Sequence, residues 1–150
     1  MTHKGVLLDT SFFIRFLNDK DPLFEKADNY FKKFLEQEYE LYISTISIAE
    51  FCVKGNISHL PLKNIRVLPF NIEHAERAGC FAKTVFDNKN ELESTERKII
   101  PNDTKLFAQA DTEIQIYYYL SSDLRSKNVL DVIEKDTKAN FKFVDLNVSF

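Results

Sequence analysis

The chain has 150 residues and 44% hydrophobic content, enough for one domain with a full core and no covalent staples. Three Gly and four Pro beside 14 Phe and 6 Tyr exclude collagen-like, low-complexity and many-turned β-sandwich chains. A net charge of −3 and a pI of about 5.6 exclude a nucleic-acid binder that relies on a global basic field, so a polyanion would need a local basic patch or bound cations.

Gly5 to Leu8 is a short apolar run, as in a strand buried on both faces. Thr10 and Ser11 offer capping hydroxyls before the short helical stretch FFIRFL, which Asn18, Asp19 and Asp21-Pro22 break. Leu23 to Glu38 predicts a helix, because Leu23, Ala27, Phe31, Phe34 and Leu35 recur at helical spacing. Leu41 to Ile43 reads as a second strand. Ser47 and Glu50 have capping-box spacing for a helix to about Lys54. Asn56 to Leu62 is a connection, and Ile65 to Leu68 a third strand closed by Pro69. A helix capped by Asn71 runs to Phe86. The polar stretch Asp87 to Lys98 reads as an exposed loop or short solvated helix, a flap beside the cleft. Pro101-Asn102-Asp103 opens a further helix. Ile114 to Leu120 is a fourth strand, Leu124 to Lys135 a helix, and Phe141 to Asp145 a fifth strand.

Strands alternating with helices imply crossover connections. The expected fold is α/β, a three-layer α/β/α sandwich on a mostly parallel sheet of about five strands, with residues 1–150 as a single domain. Ligands of such sheets bind beyond the carboxyl ends of the strands. Cys52 and Cys80 sit among apolar neighbours and read as two buried free thiols. No run is long enough for a membrane helix and MTHKGVLL is no signal peptide, so the expected location is cytoplasmic.

Four carboxylates stand in apolar settings. Asp9 follows the first strand. Glu50 is the only charge between Leu41 and Val53. Asp103 shares a helical stripe with Leu106, Phe107 and Ala110, and Asp123 follows the fourth strand. Each taken alone has an ordinary reading: Asp9 and Asp103 as helix caps, Glu50 as a capping-box partner of Ser47, Asp123 as the start of a turn. Together they would fall on one edge of the sheet, repel one another and be desolvated, unless a cation neutralised them. Oxygen ligands select a hard dication such as Mg²⁺. His3, His59 and His74 are scattered and read as surface residues. Asp111, turned about 80° from Asp103 round the helix, reads as solvated. Carboxylate-bound Mg²⁺ most commonly serves phosphoryl chemistry.

At these residues the chain resembles a known family. VLLDTSFFIRFLN, STISIAEF, PNDTKLFAQA and YYLSSD look like the four acidic motifs of PIN-domain ribonucleases, most of all the small VapC-type toxins of toxin–antitoxin pairs. The resemblance runs from Val6 to about Leu146. It implies a Mg²⁺- or Mn²⁺-dependent endoribonuclease with Asp9, Glu50, Asp103 and Asp123 at the acidic positions, and with Thr10 or Ser11 touching the water shell or a phosphate. It implies an RNA substrate, a small antitoxin partner and, in many members, a homodimer. Arg15, Lys54, Lys105, Arg125 and Lys127 are candidates to grip the RNA backbone. Aromatic residues on the Tyr30 to Tyr39 helix would suit a dimer or antitoxin contact. The family often has an aromatic residue where Lys127 stands, and LFAQA is bulkier than usual. The alternative is a catalytically inactive PIN-like module that binds RNA or protein. A haloacid-dehalogenase phosphatase is unfavourable, because Ser11 stands where its second Asp belongs. A receiver domain would need a second acid near the first strand and a Lys after the last. A von Willebrand-type adhesion site fails at Phe13.

Overall fold

The computed structural model describes residues 3–88, 90, 92 and 100–150. Five strands form one sheet: β1 (Gly5–Leu8), β2 (Glu40–Ser44), β3 (Arg66–Leu68), β4 (Ile116–Ser121) and β5 (Lys142–Asp145). All neighbours are parallel, in the order β3-β2-β1-β4-β5. The connections carry α1 (Thr10–Phe16), α2 (Phe24–Glu36), α3 (Thr45–Phe51), α4 (Ile72–Asp87), α5 (Ile100–Thr112) and α6 (Leu124–Ile133).

Side-chain alternation along the strands feeds two cores. Val6, Leu8, Leu41 and Ile43 face one way, onto Phe12 and Phe13 of α1 and Ala27, Tyr30 and Phe34 of α2. Leu7, Tyr42 and Tyr119 face the other way, onto Phe81 of α4, Phe107 of α5 and Val129 and Leu130 of α6. The result is an α/β/α sandwich whose central strands are buried on both faces, which is why they read as continuous apolar runs.

Several sequence expectations are corrected. β4 starts at Ile116, two residues late, because Glu113 to Gln115 close α5. α3 is capped by Ser44, whose Oγ accepts from the Ile46 N–H at 3.0 Å, so Ser47 lies inside the helix and forms no capping box with Glu50. Cys52 and Cys80 are exposed rather than buried: apolar sequence neighbours do not bury a residue on the outer face of its helix. His74 is fully buried, because it completes the α4 cap box with Asn71 and its Nε2 lies 2.8 Å from Glu113 Oε1. Asp111 is also buried. It accepts from Arg77 Nε at 2.8 Å and from the Asn140 N–H at 2.8 Å, joining α4, α5 and the entry to β5. Tyr30 and Phe34 are core residues, so α2 offers fewer free aromatics than its sequence implies. Most of the polar stretch from Asp87 to Lys98 lies outside the described residues; within it, Leu92 is buried in the α4–α6 core.

Candidate functional site

From β1 the chain steps through β2 to the β3 edge, whereas β4 and β5 lie on the opposite side. The switch falls between β1 and β4, and a crevice opens there beyond the strand ends. Asp9 follows β1 directly, and Asp123 follows β4 after Ser122. The Asp9 N–H donates to Leu120 O at 3.0 Å and pins the end of β1 against β4.

Asp9 is the N-cap of α1. Its Oδ1 accepts from the Thr10 N–H at 2.8 Å; its Oδ2 accepts from Ser11 Oγ at 2.9 Å and Ser121 Oγ at 2.7 Å. Asp123 is likewise the N-cap of α6, accepting from the Arg125 N–H at 3.0 Å. Capping and cleft position therefore coincide in both residues. Glu50 reaches in from α3 and its Oε1 accepts from Thr10 Oγ1 at 3.0 Å. Asp103, in the first turn of α5, accepts from Ser126 Oγ at 2.8 Å.

These four carboxylates line one cleft of about 570 Å³, with Thr10, Ser11, Arg15, Arg125 and Ser126. Their mutual field is large. Burial, and then the Asp9 charge, push Asp103 up to about 8 against the pull of Ser126, and Asp123 and Glu50 add to the rise. Burial raises Asp9 despite its bonds to Ser121, Ser11 and Thr10. Burial and Asp9 raise Glu50, while Thr10 and Asn102 lower it. Under the cluster the Tyr119 hydroxyl is buried and makes no hydrogen bond of ordinary geometry, although it lies near enough to Asp9, Asp103 and Glu50 for their charges to oppose its ionisation after burial.

Among the described residues, no three His, Cys, Asp or Glu side chains are already drawn into a set that could hold one ion. The chemistry of the donors nevertheless fits a hard dication. They are oxygens only, and they are charged and crowded. Arg125 meanwhile supplies the positive charge nearest Asp123, with Nε at 3.1 Å from Oδ1 and Nη2 at 3.1 Å from Oδ2.

Of the other cations named from sequence, Arg15 lines the cleft but is bound to Asp21 at 2.8 Å. Lys54 lines an adjoining apolar cavity, Lys127 lines a groove farther along α6, and Lys105 lines none of these. Sequence reasoning missed Asn102, Tyr119, Ser121 and Ser126. The only signal was the pair of serines in YYLSSD, which nothing in the sequence ties to Asp9.

The chain shares its fold with known structures. It is similar in structure to a chain of FitAcB from Neisseria gonorrhoeae, with a TM-score of 0.65 at 16% identity, covering 94% of this chain and 97% of that one. VapBC2 from Rickettsia felis, bound to a DNA fragment from its promoter, gives 0.64 at 15%, covering 94% and 98%. VapC20 from Mycobacterium tuberculosis, a sarcin-ricin loop cleaving toxin, gives 0.54 at 14%, covering 91% and 98%. No curated protein matches the sequence. The PIN domain family model matches residues 6–113, well over half of the chain, and the protein belongs to the PIN-domain family.

Proposed function

We infer that the protein is a divalent-metal-dependent endoribonuclease that hydrolyses phosphodiester bonds of RNA, and that it is the toxin of a toxin–antitoxin pair. One observation carries this reading: carboxylates from four separate segments share one cleft, and Asp103 is pushed up to about 8 by burial and its acidic neighbours. Membership of the PIN-domain family supports the nuclease, and the fold likeness to VapBC and VapC20 supports the toxin. On this reading Asp9, Asp103 and Asp123 hold Mg²⁺ or Mn²⁺ directly or through water, and Glu50 completes the set or orients the attacking water. Such an ion, when bound, holds the phosphate, lowers the pKa of water and stabilises the leaving oxygen. Ser11 and Ser121 fix Asp9, Thr10 fixes Glu50, and Ser126 fixes Asp103. Thr10, Ser11, Arg15 and Arg125 face the bound RNA backbone. The protein acts in the cytoplasm as one domain over 1–150, partnered by a small antitoxin and by a second copy of itself.

An inactive module that binds RNA or protein is the second reading. It is favoured by the lack of a ready-made ion-holding set among the described residues and by the Arg125 fork on Asp123. RNA cleavage assays separate the two. Cutting with Mn²⁺ should disappear with EDTA. It should also disappear in D9N with the fold retained by circular dichroism, because Asn caps the helix as Asp does and the Ser11 and Ser121 hydroxyls can turn to accept from its amide. RNA that is retained but never cut under any metal would establish the inactive module. Growth arrest on expression, relieved by the product of a small neighbouring reading frame, tests the toxin.

A further inference from the structure

A groove of about 820 Å³, larger than the carboxylate cleft, runs along α6 and the β5 edge of the sheet. Its walls combine the rings of Tyr117 and Phe143 with Lys127, Lys138 and Lys142, against one carboxylate, Glu134. Glu134 accepts from the Ala139 N–H, and Lys127 is bound to Asp131. Lys138 and Lys142 are exposed and form no ion pair among the described residues. In an acidic protein this is a local surplus of positive charge.

The backbone turns Tyr117 outward. Gly5 pairs with Ile116 and Val6 with Tyr118, so Tyr117 is an extra residue in β4. Ile116 enters the α4–α6 core and Tyr118 the opposite one, while Tyr117 stays 43% exposed. The Lys4 ammonium, just before β1, lies 5.5 Å over its ring.

α6 runs from the cleft to the groove, which reaches the amino ends of β4 and β5, and no residue lines both. Asp123, Arg125 and Ser126 line the cleft; Lys127, Leu130 and Glu134 line the groove. Lys127 stands one helical turn beyond Asp123, about 6 Å along the axis. Lysines over aromatic rings suit single-stranded nucleic acid, with charge for the phosphates and ring faces for unstacked bases. Paired RNA keeps its base faces stacked and has no use for the rings.

We propose that the α6–β5 groove binds the single-stranded RNA flanking the scissile phosphate, with bases against Tyr117 and Phe143 and phosphates at Lys138 and Lys142. The assignment rests on the ribonuclease reading above. The test uses the full chain with Mn²⁺ and a mixed-sequence single-stranded RNA of about 12 nucleotides, beside a dinucleotide that spans only a cut site. The double variant K138E/K142E should weaken the longer RNA by about tenfold and flatten the dependence of affinity on salt by about two phosphate contacts. It should leave the melting temperature and any dinucleotide cleavage unchanged. Photocrosslinking from 4-thiouridine-substituted RNA should reach Tyr117 or Phe143. Wild-type cleavage with unchanged affinity in the variant, or crosslinks confined to other surfaces, would overturn the groove and leave the nuclease standing. Unchanged RNA affinity with lost binding of an acidic protein would assign the groove to protein and overturn it too. A wild-type chain that neither binds nor cuts RNA would overturn both.

Discussion

Asp103 keeps its proton up to about pH 8 in the folded protein, whereas an ordinary Asp releases it near 3.8. Between those values the folded state holds a proton that the unfolded chain has lost. Metal-free stability is therefore greatest at the acid end of this window and falls as pH rises towards 8. Asp9 and Glu50, also raised, act in the same direction. Without metal, the melting temperature should be higher near about pH 5 than near about pH 8. D103N, which keeps an acceptor for Ser126, should raise metal-free stability at the upper pH by roughly 1–3 kcal/mol and flatten the profile. An unchanged profile in D103N would mean that Asp103 is not the group that titrates. The meeting of the carboxylates was legible in the sequence, because Asp9 and Asp123 follow strands, Glu50 is the lone charge of an apolar stretch and Asp103 shares a stripe with Leu106, Phe107 and Ala110. Their supports were not. Ser121 reaches Asp9 across 112 residues, and no local pattern marks a serine as the partner of a distant carboxylate.

Connections between elements show which local rules hold. α2 ends in a Schellman motif: the Tyr39 N–H donates to Phe34 O at 2.9 Å and the Glu38 N–H to Leu35 O at 3.0 Å. The rings of Tyr39 and Phe34 close it, 5.2 Å apart. The turn puts Glu38 at φ 61°, a left-handed conformation that costs a side-chain-bearing residue roughly 1 kcal/mol. E38G should therefore stabilise the protein by about 0.5–1 kcal/mol in denaturant titration. A loss of stability would show that Glu38 makes a contact worth more than the strain. Strands and most helices were readable because apolar period and capping residues agree there. Polar groups between packed helices were not. Asp111 reads as solvated from its turn away from Asp103, and His74 as a surface residue because the histidines are scattered, yet α4 lies so close along α5 that Glu113 and Arg77 reach them. Helical periodicity places a residue on a face; it does not say whether a second helix supplies a partner.

For the molecule as a whole, the carboxylate cleft is a local destabilisation that a bound cation should relieve. At about one hundred times its Kd, Mn²⁺ should add about 2.7 kcal/mol, a rise of about 5–10 °C in Tm for a chain of this length. The rise should be larger towards pH 8, where the carboxylates repel most, and absent in D9N or D103N. Equal melting with and without metal at both pH values would remove the metal from the proposal. The groove beyond α6 extends the same logic to the substrate: an acidic protein can take a polyanion if cations are concentrated where the strand must lie.

The placement of β4 between β1 and β5 has a consequence in time. β1 and Asp9 are made early, yet the second neighbour of β1 is not synthesised until residues 116–121. A nascent chain still short of that point has a bare flank on β1, no Ser121 beneath Asp9 and no Asp123. Contacts of such long sequence separation form late in folding. A cleft assembled in this order cannot gather its four carboxylates until β4 and Asp123 have been made.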